Sequence, residues 1–184
     1  MTNSGTISAV AGNNFSYAIN NDTGSTITNL TNSGTLSSEA SNIASYTLKN
    51  YGTITNLTNT GTISAVAGDG YARAIFSRGT ITNLINTGTI SSKSNFLNSK
   101  YGTTYGIDVW GSDAHITNLI NSGTISAESG DDVAYGIYVS DLGGTITNLI
   151  NSGTISAVAT TDEAAGIDNE GTITNLINSG TISA

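Results

Sequence analysis

The sequence contains no cysteine and no proline. Lacking cysteine, it has neither a disulfide framework nor a thiolate metal site, so its stability rests on burial and hydrogen bonding. Lacking proline, every residue after the first keeps its backbone amide donor, which suits a chain built mostly of paired strands. Cations are scarce: five Lys and Arg stand against thirteen Asp and Glu, a net charge of −8. With no basic patch and with the eleven Tyr and Phe scattered along the chain, phosphate contacts would find no cluster of cations, and we expect no nucleic-acid partner. No apolar run approaches the roughly 18 residues that span a bilayer, and Met1-Thr2-Asn3-Ser4 lacks the basic and apolar regions of a signal peptide. A direct membrane span is therefore not expected.

What the chain does contain is one phrase, Thr-Ile-Thr-Asn-Leu-x-Asn-(Ser/Thr)-Gly-Thr-Ile, written repeatedly. Its first Ile falls at Ile27, Ile54, Ile81, Ile116, Ile146 and Ile173, at intervals of 27, 27, 35, 30 and 27 residues. The second Ile or Leu always follows nine residues later, so the variation lies between phrases. Invariant spacing in one half of a repeat and elastic spacing in the other marks stacked coils whose loops leave from one side.

Within the phrase, Thr53-Ile54-Thr55 alternates as a strand with Ile inward. Leu57 breaks the alternation, so a bend near Asn56 is expected, using the left-handed conformation that Asn tolerates. A second corner falls at Asn59-Thr60-Gly61, after which Thr62-Ile63-Ser64-Ala65 resumes the alternation. A third apolar element places a small residue before an aliphatic one, at Ala18-Ile19, Ala74-Ile75, Gly106-Ile107, Gly136-Ile137 and Gly166-Ile167, with Leu48 in the remaining coil. Three short strands per turn predict an all-β parallel β-helix, a β-solenoid of about six triangular coils of 27–35 residues. Residues 1–184 form a single domain in this reading. The chain opens inside the phrase, at Thr2-Asn3-Ser4-Gly5-Thr6-Ile7, and we expect an excerpt of a longer repeat protein.

Stacking turns repeated residues into columns. Asn29, Asn56, Asn83, Asn118, Asn148 and Asn175 make one candidate amide ladder, and Asn32, Asn59, Asn86, Asn121, Asn151 and Asn178 another. Between Leu and the second Asn stand Thr31 and Thr58, then Ile85, Ile120, Ile150 and Ile177, a candidate apolar contact stripe or else a half-buried corner. The longest excursion, Ser92 to Tyr105, carries Phe96 and Tyr101, and Trp110 follows; these are candidates for recognition or for packing the loop onto the rod. The acidic pairs Asp131-Asp132 and Asp162-Glu163 occupy equivalent loops, as solvated charge or a cation bridge. His115, the only His, replaces a Thr of the phrase and reads as a solvated substitution; no other polar groups converge on it to make a catalytic site. No catalytic, cofactor or metal residues are assigned.

Phrases such as Gly144-Thr145-Ile146-Thr147-Asn148-Leu149-Ile150-Asn151-Ser152-Gly153-Thr154-Ile155-Ser156-Ala157, preceded by Tyr135-Gly136-Ile137, resemble the passenger repeats of bacterial autotransporters and related β-helical surface adhesins. The resemblance covers nearly the whole chain. It implies a right-handed parallel β-helix displayed outside a Gram-negative cell as stalk or adhesin; we expect no enzymatic activity and no cofactor. Structural, adhesive or fibre-forming work would follow, with end-to-end self-association or a host-surface or glycan ligand. Two alternatives stay open. The Thr-x-Thr columns, such as Thr53 and Thr55 over Thr80 and Thr82, resemble the ice-binding face of insect antifreeze proteins. A carbohydrate-active β-helix enzyme would use the acidic or loop face. Asp108 and Asp168 follow third-strand Ile residues, yet two coils part them by about 10 Å, too far to share one Ca²⁺.

The inside–outside assignment has a direct test. Ile81→Asp or Ile116→Asp is expected to cost about 3–5 kcal/mol as an unpaired buried charge, whereas Thr82→Val should stay within about 0.5 kcal/mol. Denaturant melts ranking them in the opposite order would reverse the assignment.

Overall fold

The computed structural model describes residues 1–95 and 102–184. Among the described residues there are twenty strands and no helix, arranged in three sheets whose pairings are all parallel. The first sheet stacks β1 (Thr2–Asn3), β4 (Thr26–Asn32), β7 (Thr53–Asn59), β10 (Thr80–Asn86), β13 (His115–Asn121), β16 (Thr145–Asn151) and β19 (Thr172–Asn178). The second stacks β2 (Thr6–Ala11), β5 (Thr35–Ala40), β8 (Thr62–Ala67), β11 (Thr89–Ser94), β14 (Thr124–Ser129), β17 (Thr154–Ala159) and β20 (Thr181–Ser183). The third stacks β3 (Phe15–Asn21), β6 (Ala44–Asn50), β9 (Tyr71–Ser77), β12 (Thr104–Val109), β15 (Ala134–Val139) and β18 (Ala164–Asn169). Each strand pairs with its counterpart one coil away, which makes the chain a β-solenoid of six coils, coil one ending in β3 and coil six in β18.

Register follows from the repeat. Ile54 stands on Ile81 and Leu57 on Leu84, then Ile116 and Leu119, so each inward aliphatic meets its own kind in the next coil. Ile54, Leu57, Ile63 and Ile75, drawn from all three sheets, are at most 1% exposed and belong to one continuous apolar column. Ile81 and Ile116 lie in the same column, fully buried.

Ile54 and Leu57 are three residues apart yet both inward, while Thr55 and Asn56 are half exposed. The strand therefore bends, and the Cα partnering that runs through Ile54 and Ile81 lapses before resuming at Asn56 and Asn83. The left-handed Asn expected there is not used: among the described residues no residue other than Gly has positive φ. A bend within the negative-φ region re-phases the strand without left-handed strain.

The Thr60-Gly61 corner has a different requirement. A Cβ on Gly61 would lie 2.1 Å from the Gly34 carbonyl oxygen, and Gly88, Gly123, Gly153 and Gly180 meet the preceding corner glycine at the same 2.1 Å. Close approach of stacked backbones, not φ, demands glycine here. Inside this corner, fully buried Asn59 donates from Nδ2 to Asn86 Oδ1 at 2.8 Å, to the Thr89 carbonyl at 3.1 Å and to the Gly61 carbonyl at 3.2 Å. The same bonds recur from Asn3 through Asn32, Asn86, Asn121 and Asn151 to Asn178.

Two sequence expectations need revision. The first sheet holds seven strands rather than six, because Thr2 and Asn3 pair with Thr31 and Asn32 as the stub β1. The excursion of the 35-residue coil is shorter than Ser92 to Tyr105, since β11 continues through Ser94 and β12 begins at Thr104.

Corner packing predicts that Gly88→Ala costs about 3 kcal/mol or more, because the three atoms that the new Cβ would meet all belong to backbone. Gly12→Ala, with nothing within 4 Å of the new Cβ, should be nearly neutral. Equilibrium urea unfolding of the two variants measures the difference; equal stabilities would refute the close-approach account.

Candidate functional site

The third sheet carries a surface unlike the other two. Two residues before each inward aliphatic stand Tyr17, Tyr46, Arg73, Tyr105, Tyr135 and Ala165, each in register with the next. One residue after it stand Asn20, Lys49, Phe76, Asp108, Tyr138 and Asp168. Strict alternation would turn the first of these columns inward with the Ile. A bend at the intervening small residue re-phases the strand instead: Ala134 and Ile137 are fully buried while Tyr135 and Tyr138 are half exposed.

The rings contact one another both along the rod and within a coil. Tyr17 and Tyr46 lie 5.6 Å apart between centroids with planes 16° apart, and Tyr135 and Tyr138 lie 5.5 Å apart at 22°. Tyr105 is 5.7 Å from Tyr135 and 5.6 Å from Tyr138, while Tyr46 is 5.4 Å from Phe76. Arg73 takes the rung between Tyr46 and Tyr105. Its guanidinium carbon is 4.8 Å from the ring centres of Phe76 and Tyr105, 4.7 Å from Tyr71 and 5.2 Å from Tyr46. Such contacts are favourable when desolvated.

Charge inside the stack is balanced by Asp108. Arg73 Nε lies 2.6 Å from Asp108 Oδ2, with the side chains 14% and 1% exposed, and Arg73 Nη1 donates to Tyr46 Oη at 2.8 Å. The Nε contact is an ion pair without hydrogen-bond alignment, and Asp108 Oδ1 has no hydrogen-bond partner. Burial pushes the Asp108 carboxyl up to about 6, against the downward pull of Arg73. Burial also opposes the charge of Arg73, but Asp108, Tyr46 and Tyr105 outweigh it and hold the guanidinium above its ordinary range. Tyr135 is raised to about 12 by burial and by the charges of Glu163, Asp168 and Glu170.

At the corner between the third and first sheets, Arg78 lies over Trp110 at 4.4 Å and Tyr51 at 5.5 Å, and Lys49 Nζ is 4.3 Å from the centre of Tyr51. Thr23, Tyr51, Arg78 and Asp113 line an open cleft there. Trp110 thus packs on Phe76, at 6.5 Å, and Arg78. Phe96 and Tyr101 lie outside the described residues.

The other predicted positions are elsewhere on the rod. Ile85, Ile120, Ile150 and Ile177 form an in-register stripe on the first sheet, 37%, 37%, 38% and 60% exposed, beside buried Leu84, Leu119 and Leu149. The Asn29 ladder runs through Asn56, Asn83, Asn118, Asn148 and Asn175 with 2.9 Å steps. Each amide there donates toward the start of the chain, opposite to the buried ladder. His115 is not simply solvated: its Nδ1 is 2.6 Å from Thr145 Oγ1 and its Nε2 is 3.4 Å from Thr147 Oγ1, binding both hydroxyls of the next coil's Thr pair. The acidic corner is also hydrogen-bonded, by Thr161 Oγ1 to Asp131 and Thr103 Oγ1 to Asp132. Among the described residues no three of His, Asp and Glu come close enough to hold a metal ion.

Sequence reading missed the Tyr and Arg column. Its signal was present as the residue before each small–aliphatic pair, in Tyr17-Ala18-Ile19, Tyr46-Thr47-Leu48 and Tyr105-Gly106-Ile107. Comparison of the chain with family models, curated proteins and solved structures finds no match.

Arg73→Met is expected to destabilise the rod by about 3–5 kcal/mol at neutral pH, since it leaves the buried Asp108 charge uncompensated. The folded carboxyl, at about 6, already lies above its ordinary 3.8, so its contribution to stability is full below about pH 4 and declines as pH rises toward 6. Removing Arg73 raises the folded value further and extends the loss to higher pH. The deficit of the variant should therefore shrink between pH 7.5 and pH 4.5 in urea melts; a deficit independent of pH would show that Asp108 is not what Arg73 stabilises.

Proposed function

We propose that this chain is a noncatalytic β-solenoid rod, working outside a bacterial cell as a structural or adhesive module of a longer surface protein. The observation that carries this reading is the consumption of side-chain chemistry by neighbouring coils. Buried Asn groups bond along the axis, His115 bonds to Thr145 and Thr147, and the Arg73 charge is spent on Asp108 and four rings. Groups committed in this way hold a shape rather than turn over a substrate. The autotransporter-like phrases support display at the surface.

A rod of this kind propagates through its ends. Direction in the buried ladder leaves an amide donor at Asn178 and an acceptor at Asn3, so the last coil complements the first of another copy and not itself. The first and second sheets each hold seven strands and the third six, so head-to-tail stacking lacks one layer on one face. Pairing of strand edges remains available across the other two.

The isolated chain is expected to associate end to end as its concentration rises, and Ile7→Lys with Ile182→Lys should weaken this at least about tenfold. Sedimentation and electron microscopy read it. A clean monomer at high concentration, with terminal amides protected in hydrogen exchange, would count against a propagating rod.

A further inference from the structure

Charge on the third-sheet face is divided along the rod. Coils two and three supply Lys49, Arg73 and Arg78, whereas coils four to six and their corners supply Asp108, Asp113, Asp141, Asp168 and Glu170. Arg73 and Asp108 neutralise each other beneath the rings. What remains toward solvent is cationic at one end, with half-exposed Lys49 and exposed Arg78, and acidic at the other, with exposed Asp141, half-exposed Asp168 and exposed Glu170. Asp22 and Asp113 temper the cationic end: Asp22 accepts from Asn20 Nδ2 at 3.0 Å, and Asp113 shares the cleft with Arg78. The cation Lys93 is engaged elsewhere, 2.6 Å from Glu128 on the second sheet. At the acidic end the aromatic column stops, because Ala165 follows Tyr135, and the face steps down beside Asp168.

We propose that this face is an interface with a second copy of the chain, the two rods lying antiparallel about a two-fold axis that runs along the strands of coil four. Rotation about the strand direction keeps every column opposite itself and reverses the order of coils. Coil two then faces coil six, bringing Lys49 onto Asp168 and the step at Ala165. Coil three faces coil five, bringing Arg78 onto the corner that carries Asp141 and exposed Leu142. Coil four meets its own copy through Tyr105 and the Trp110 corner. Parallel pairing would instead set cations on cations and acids on acids, so the charge pattern selects one of the two orientations.

The composition fits an interface of this class, since Tyr, Trp and Arg are the residues most enriched where proteins meet. With coil four on the axis only coils two to six overlap, so five strands at about 4.8 Å and some six residues at about 3.3 Å give a face of roughly 480 Å². Two such faces bury on the order of 950 Å², in the range of weak, transient interfaces. A dissociation constant in the micromolar range is expected. Because the surface is the same on both copies, the pair is closed, unlike end-to-end growth.

Sedimentation from about 1 μM to about 1 mM tests this on the full chain carrying Ile7→Lys and Ile182→Lys to suppress fibres. A dimer is expected, and its constant should weaken several-fold when salt is raised. Lys49→Glu alone and Asp168→Lys alone should each weaken it about tenfold or more, with the circular dichroism spectrum unchanged. Both reversals in one chain should restore it, because each reversed position again faces its opposite. A monomer throughout, a dimer indifferent to salt and to the single reversals, or failure of the double reversal to restore it would overturn the proposal.

Discussion

Every other feature of this molecule depends on one constraint: backbone stacked on backbone in register, coil after coil. At the Asn-x-Gly corner the approach is so close that a single Cβ would meet a carbonyl oxygen at 2.1 Å. The buried Asn beside it joins the coils by a side-chain bond of about the same repeat as the backbone ladder, and its amide donors also meet two carbonyls. These groups are costly to bury singly and are satisfied only in a stack. Glycine makes the approach sterically allowed, and asparagine makes it chemically favourable.

The constraint is strict inward and permissive outward. Ile, Leu and Ala fill one column whose width is set by the three sheets, so the inward positions barely vary. Outward residues have only their neighbours above and below to satisfy. The third sheet uses this freedom most, alternating Tyr, Arg, Phe, Lys and Asp in two adjacent columns without disturbing the coil beneath. Near the start of the chain a third polar ladder, from Asn21 through Asn50 to Ser77, fills the corner between the third and first sheets. Buried Val109 and Val139 replace it in later coils. Polar bonding and apolar burial are thus interchangeable solutions at that corner.

Aromatic and charged residues interlock on that outer face. Arg73 is a rung of a tyrosine stack, held by π faces above and below and by one carboxylate. With Lys49 and Arg78, it places three of the chain's five cations against the rings, while Lys93 pairs with Glu128 on the second sheet. The chain's acidity is likewise local, strongest on the last two coils.

The repeated phrase alone determined the parallel coils, the three strands in each, the inward Ile and Leu, and both long Asn ladders. A repeat has this power because each coil packs on a copy of itself, so a residue's neighbour one coil away is known from its place in the phrase. Ile85, Ile120, Ile150 and Ile177 could be aligned for the same reason, but the phrase leaves open whether they form an exposed stripe or a half-buried corner, and the fold shows them exposed. What the phrase could not say is where a strand re-phases. Read with strict alternation, Tyr105 and Tyr135 point inward with Ile107 and Ile137; the bend at Gly106 and Gly136 turns them out, and only the folded backbone decides it. The pairing of Arg73 with Asp108, 35 residues away, is likewise tertiary. It depends on two adjacent columns and two adjacent coils at once, a diagonal that no single column of the sequence contains.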